Sequence, residues 1–381
     1  MPFSTRPTFA QIDLGVLREN LRSSREFIGP DVRVMAVVKA NAYGHGAVEC
    51  ARTLESERVD WLGVALLEEA IQLRDAGIKI PILCLGGFPL GREALLLEHN
   101  ITPVVFNIEQ AKALQMVANQ VTENLQIHVK IDTGMGRLGV RWDDLDEFIT
   151  ALARLRNLHL EGLMSHFAIA DETSQDAFTQ TQINRFFESV ATFEAAGLRP
   201  QLIDIANSPG AIGHPNARFG MVRLGGILYG LSTDVLSSQL PQPKLKPVMT
   251  LYSIVSDIKS IPKGETIGYG RTFTCVRDTR IALLPIGYDD GYRRALSNKA
   301  AVIINGQLAP VVGRISMDWT IADITEVTGV GVGDSVIMLG RNNDIEVSAA
   351  DLAALSETIS YEITCGISER VPRRYIGRDS D

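Results

Sequence analysis

Eight short apolar runs alternate with helical patterns over the first 230 residues of this 381-residue chain, and that alternation narrows the fold more than any other feature. The runs cover residues 32–38, 61–65, 80–85, 102–106, 127–131, 160–165, 202–206 and 222–229. Short apolar runs of this kind read as strands buried on both faces. Between most of them, residues 67–76, 108–118, 145–155 and 180–196 carry helical periodicity. Eight strands alternating with helices predict a (β/α)8 TIM barrel, whose usual length is roughly 250 residues. A doubly wound sheet is the alternative, because strand order is not written in a sequence.

The texture changes near residue 235. Ser237-Ser238-Gln239-Leu240-Pro241-Gln242-Pro243 reads as a linker. Strand-like runs follow at 249–258, 281–285, 301–304, 319–324 and 335–338, and only 349–356 looks helical. The fold class is therefore α/β plus mostly-β. Residues 1–240 form the barrel and 241–381 a C-terminal β domain. An early strand at 8–14, ahead of a helix near 15–27, falls outside the eight. Residues 1–14 can pair with the β domain.

Composition removes several function classes. Hydrophobic residues make up 45%, charged residues 22%, and the net charge of −8 comes with interspersed signs. No basic stripe suggests nucleic acid. No apolar core follows Met1-Pro2-Phe3-Ser4-Thr5-Arg6, and no run reaches the roughly eighteen residues of a membrane span. Cys50, Cys84, Cys275 and Cys365 form no CxxC pair, and the six histidines form no HExxH or His/Cys cluster. These features predict a reduced, cytoplasmic protein without a metal.

In a barrel, chemistry collects at the C-terminal ends of the strands. Lys39 follows the first run, where burial can lower its pKa and yield a Schiff-base nucleophile. The bland alternative is a surface lysine past a strand end. Asp132-Thr133-Gly134-Met135-Gly136-Arg137-Leu138-Gly139 follows the fifth run, and Ser165-His166 ends the sixth. Asn207-Ser208-Pro209-Gly210 ends the seventh, and Arg223-Leu224-Gly225-Gly226 lies in the eighth. Glycines beside Ser208 and Arg223 suit an approaching phosphate, or simply turns. His166 alone is more often a satisfied core histidine. Arg137 and Arg223 stay charged and so need partners near a buried strand. The G-x-G-x-x-G of Gly134, Gly136 and Gly139 is a weak dinucleotide signal. It opens no domain, and its candidate acid, Glu161, begins a strand rather than ending one.

Taken together these motifs resemble the alanine racemases, enzymes that use pyridoxal 5'-phosphate to interconvert L- and D-alanine. The resemblance covers nearly the whole chain and keeps the family's motif order. It rests on Ala36-Val37-Val38-Lys39-Ala40-Asn41-Ala42-Tyr43-Gly44-His45-Gly46, on Lys130 to Gly139, and on Ser165-His166-Phe167-Ala168. It continues through Ile267-Gly268-Tyr269-Gly270-Arg271-Thr272, Gly313-Arg314-Ile315-Ser316-Met317-Asp318 and Tyr361-Glu362-Ile363.

The resemblance implies that Lys39 carries the cofactor and is one racemisation base. Tyr269 is the other, reaching the opposite face of the substrate from a partner subunit, so the homodimer has composite sites. Arg223 faces the pyridine nitrogen, and His166 bridges toward Arg223 and the catalytic tyrosine. Arg137 contacts the phenolic-oxygen side and the substrate. Tyr43, Ser208, Tyr361 and the backbone at Gly225 and Gly226 hold the phosphate. Met317 meets the substrate carboxylate. Lys130 matches a lysine that relatives often carry as a carbamate bonded to the arginine at position 137. Asp171, Tyr288, Arg314 and Ile359 line the path by which substrate enters. Two departures stand out. The family usually has Arg-Pro-Gly-Ile where this chain has Arg223-Leu224-Gly225-Gly226, and Trp319 replaces a usual polar residue.

The residue set suits the chemistry. Racemisation needs proton donors and acceptors on both faces of Cα. An arginine leaves the pyridine nitrogen unprotonated, whereas a carboxylate there would favour the protonated ring and transamination. A racemase of another small amino acid, such as serine, remains an alternative. So does a related barrel decarboxylase, which would place an acid on the pyridine nitrogen and a catalytic cysteine in place of Tyr269.

Overall fold

In the computed structural model, which describes residues 5–120 and 124–378, the expected eight parallel strands are present. Residues 1–4 of the early segment lie outside the described residues. Strand β1 is Phe9–Asp13 and β2 is Arg33–Val37, followed by β3 (Trp61–Val64), β4 (Ile82–Cys84) and β5 (Thr102–Val105). Strand β6 spans Leu125–Asp132 and β7 is the short Val140–Arg141. Then come β8 (Leu158–Met164), β9 (Leu202–Asp204) and β10 (Met221–Leu224). Hydrogen bonding runs in the order β10, β2, β3, β4, β5, β6, β8, β9, with β7 on the side of β6. The Arg223 N–H donates to the Ala206 carbonyl at 2.9 Å and bridges β10 to the chain just beyond β9. The sheet thus rolls into a (β/α)8 barrel rather than the open alternative.

The strands are buried on both faces, which is why they read as continuous apolar runs. Inside, Met35, Trp61, Leu83, Val104, Met164, Leu202 and Met221 pack into one layer. His128 joins it with its ring 5.3 Å from that of Trp61. Residue 162 has to be glycine there, because a Cβ would lie 2.5 Å from the His128 ring.

The eighth run extends less far as a strand than its composition suggests. Only Met221–Leu224 is extended, and Gly226–Tyr229 is a 3-10 turn. The Tyr229 hydroxyl donates to the Val37 carbonyl and pins that turn under β2. Some helices carry recognisable start signals. Asp13 and Asn107 cap Leu14–Ile28 and Ile108–Ala118 by accepting from backbone N–H groups.

Beyond the linker the chain is mostly β. β1 pairs antiparallel with Met249–Ile254 and parallel with Arg373–Ile376, so the N-terminal strand belongs to a seven-stranded C-terminal sheet. Residues 249–258, expected as one run, divide into Met249–Ile254 and Asp257–Ile261, which enter different sheets. A short helix at Ser360–Cys365 was not expected. Asp234, at the barrel's end, accepts from both the Ser360 N–H and its hydroxyl at 2.6 Å. That link brings Ile359, Tyr361 and Cys365 to the barrel mouth.

Candidate active site

Lys39, two residues past β2, does not simply follow a strand end. Lys39 opens a tight turn in which Ala40, Asn41, Ala42 and Tyr43 all have positive φ, between 51° and 54°. A left-handed conformation costs about 1–2 kcal/mol for each L residue, so four in succession need external support. Several contacts supply it. The Ala40 N–H donates to Glu69, the Asn41 side chain accepts from the Ala47 N–H, and His45 Nδ1 lies 3.0 and 2.9 Å from the Ala42 and Tyr43 carbonyls. Those carbonyls can only accept, so Nδ1 bears the proton. Burial also pulls His45 down to about 4, which keeps it neutral. The turn directs Lys39 and Tyr43 into the same cavity.

That cavity, about 680 Å³, opens at the C-terminal ends of the barrel strands. It brings together Lys39, Tyr43, Lys130, Arg137, His166 and Asp171, and also Ser208, Arg223, Gly225, Gly226, Ile359 and Tyr361. Burial, with help from Arg137 and Arg223, lowers the Lys39 ammonium, while Glu69 and Cys365 oppose the shift. Lys130 is pushed down to about 7, by burial first and then by Arg223, Arg137 and Lys39. His166 falls well below its ordinary value through burial and the same cations. Its Nδ1 therefore accepts from Arg223 Nη2 at 3.0 Å.

Arg137 sits in the loop after β6, which is folded on Asp132. That carboxylate accepts from the Gly134 and Gly136 N–H groups. No helix starts there, since the next is Asp146–Leu152, so the G-x-G-x-x-G pattern lacks the helix N-terminus a dinucleotide needs.

One partnership was missed in the sequence. Asp204, fully buried at the end of β9, forms an ion pair with Arg223 Nη1. The signal was a carboxylate inside an apolar strand run, which demands a buried cation. Burial pulls Arg223 down to about 9, which still leaves the guanidinium charged at neutral pH, and Asp204 supplies its counter-charge.

The same cavity wall carries a cradle of hydroxyl and backbone groups. The Gly225 N–H donates to Ser208 Oγ at 3.0 Å. The Asn207 side chain caps the helix Ser208–Gly213 and so sets the position of Ser208. A Cβ on residue 225 would come within 2.4 Å of the Tyr43 hydroxyl, and one on residue 226 within 2.5 Å of the Tyr361 hydroxyl. Hydroxyls and backbone converge here only because both positions lack side chains. With an amine and three further cationic side chains in the same cavity, this set fits a phosphorylated aldehyde such as pyridoxal 5'-phosphate. Gly225→Ala is expected to weaken binding of that compound at least about tenfold while the far-ultraviolet circular dichroism stays unchanged. A fluorescence titration reads this, and wild-type affinity would refute the cradle.

The structure does not bring Tyr269, Tyr288, Arg314 or Met317 into the cavity. Tyr269 is 72% exposed and Met317 50% exposed. They share adjoining loops of the β domain. A Cβ on residue 270 would meet the Arg314 guanidinium at 2.7 Å. The Tyr288 and Asp289 N–H groups donate to the Ser316 and Met317 carbonyls. Trp319, also exposed, closes the same loop by donating its N–H to Ser316 Oγ.

Comparison with known proteins covers both domains. Residues 12–233 match the family profile "Alanine racemase, N-terminal domain" and residues 248–375 match "Alanine racemase, C-terminal domain". The chain belongs to the alanine racemase family. An alanine racemase of Geobacter sulfurreducens is 43% identical over 376 residues, covering 98% of each chain. Alanine racemase 2 of Caldanaerobacter subterraneus is also 43% identical, covering 98% of this chain and 96% of that one. Among solved structures, the alanine racemase of D-cycloserine-producing Streptomyces lavendulae superposes with a TM-score of 0.93 at 35% identity and 99% coverage of both chains. That of Bacillus anthracis with bound L-Ala-P gives 0.91 at 36% identity, covering 99% and 96%.

Proposed function

We propose that this chain, dividing at residues 1–240 and 241–381, interconverts L- and D-alanine with pyridoxal 5'-phosphate as a cytoplasmic homodimer. Its product would feed peptidoglycan precursors or alanine catabolism. The observation that carries the reading is a desolvated Lys39 and a cradle of hydroxyls and backbone lining one cavity of a family member. Tyr43, Ser208, Tyr361, Gly225 and Gly226 would hold the phosphate, and Lys39 the aldehyde carbon. When bound, the cofactor delocalises the charge that develops at a substrate Cα.

The chain's own residues then manage protons. Lys39 takes or returns a proton on one face of Cα, and Tyr269 of the partner subunit serves the other. Arg223 keeps its proton, so a pyridine nitrogen held against it would stay unprotonated. His166, neutral and bonded to Arg223, would bridge from Arg223 toward that tyrosine. Arg137 and the partner subunit's Met317 receive the substrate carboxylate. Lys130, near 7, has a large neutral fraction at physiological pH, as carbamate formation with carbon dioxide requires. Asp171, Tyr288, Arg314 and Ile359 would flank the incoming substrate.

The test is chemical. Borohydride treatment of the yellow protein is expected to fix one phosphopyridoxyl group, on Lys39, as read by peptide mass spectrometry. The same mass on another lysine sinks the assignment. Chiral chromatography of products from a panel of L-amino acids then reads whether alanine is preferred over serine.

A further inference from the structure

Asp204 has Arg223 as its one recorded partner among the described residues, and neither carboxylate oxygen accepts a further hydrogen bond. Arg223 is fully engaged on one side. Nη1 meets Asp204, while Nη2 donates to the Ser165 carbonyl at 2.7 Å, to His166 Nδ1 at 3.0 Å and to the Ile205 carbonyl at 3.3 Å. Among the described residues Nε has no hydrogen-bond partner, and the side chain lines the cavity. A guanidinium is a rigid plane, so fixing both terminal nitrogens fixes the direction of the remaining N–H. The same cavity holds Lys39, Lys130 and Arg137, so a negative charge behind Arg223 offsets crowding among four cations.

We propose that Asp204 is a positioning residue: its buried carboxylate holds Arg223 oriented so that Nε–H faces the cavity, and it screens the neighbouring amines from the guanidinium charge. The orientation half rests on the pyridoxal phosphate reading, because the ring is what Nε–H would meet. The screening half does not.

Asp204→Asn keeps the shape and removes the charge. In the apoprotein, competitive acetylation read by mass spectrometry gives the pH midpoint of Lys39. The charged and titratable groups that Lys39 faces are Arg137, Arg223, Lys130, His166, Glu69 and Cys365. Removing the carboxylate leaves Arg223 less compensated, so the midpoint is expected to fall by about half a pH unit or more. Fluorescence titration is expected to show pyridoxal phosphate bound about tenfold more weakly. A folded variant with the wild-type midpoint and wild-type affinity overturns the proposal, even if it melts earlier, because that pattern marks a purely structural pair. If Asp204→Asn does not fold, Asp204→Glu keeps the charge and changes the reach. Loosened cofactor binding with a near-normal midpoint supports the proposal, and wild-type binding overturns it. Should the wild-type protein bind no pyridoxal phosphate, the cofactor reading fails. The Lys39 midpoint still decides the screening role.

Discussion

Mixing Lys39→Ala and Tyr269→Phe proteins under conditions that exchange subunits is expected to restore activity toward half of wild type per heterodimer. Each parent alone is expected to lose about 10²–10⁴-fold in kcat, the usual contribution of a positioned acid or base. The reason is geometric. Lys39 lines the barrel cavity, whereas Tyr269 stands exposed on the β domain beside Tyr288, Arg314 and Met317. If a second chain covers the cavity with that face, a heterodimer holds one site with both bases and one with neither. Coupled D-alanine detection on the mixture reads the outcome. No recovery after verified exchange would mean that both bases act within one chain.

Arg223→Glu is expected to do more damage than a change in ring chemistry alone. On the motif by itself, the substitution promises an intact fold with slower racemisation and more transamination. The structure alters that expectation, because the new carboxylate would face Asp204 in a fully buried setting. Breaking a buried pair so as to leave an uncompensated charge costs about 3–5 kcal/mol. Urea denaturation of the apoprotein should show a loss of that order. Combining Arg223→Glu with Asp204→Asn removes the like-charge pair and should recover much of it. In the double variant the ring-nitrogen effect can be read cleanly: racemisation falls and pyruvate appears from alanine. Arg223→Glu with wild-type stability would mean that Asp204 is not confined against residue 223. A double variant without pyruvate would mean that residue 223 does not face the pyridine.

Much of the molecule was legible in the linear order of residues. Apolar runs at 32–38, 61–65 and 102–106 became β2, β3 and β5 because strands buried on both faces have no polar alternation to disguise them. The early strand at 8–14 was read as separate from the barrel, and β1 pairs with Met249–Ile254 instead. The helix Ser360–Cys365 was missed. At six residues it is too short to show periodicity, and the Asp234 carboxylate that holds its first turn lies 126 positions away in sequence. The strand expected through residue 229 stops at Leu224 because Gly225 and Gly226 turn the backbone toward Tyr43 and Tyr361.

The sequence by itself determined which chemical groups this protein has and which strand end each occupies. Periodicity and residue chemistry are local properties, and Lys39, Arg137, His166, Ser208 and Arg223 each follow or sit within an apolar run. Three things were decided only in the tertiary structure. The left-handed turn from Ala40 to Tyr43 is a conformation that isolated L residues avoid, and it persists because Glu69, Asn41 and His45 hold its backbone groups. The charge partner of Arg223 lies on the neighbouring strand, and strand neighbours are fixed by barrel closure rather than by chain order. The division of the expected site between a barrel cavity and an exposed face of the β domain follows from how two domains pack, and spacing along one chain does not record that distance.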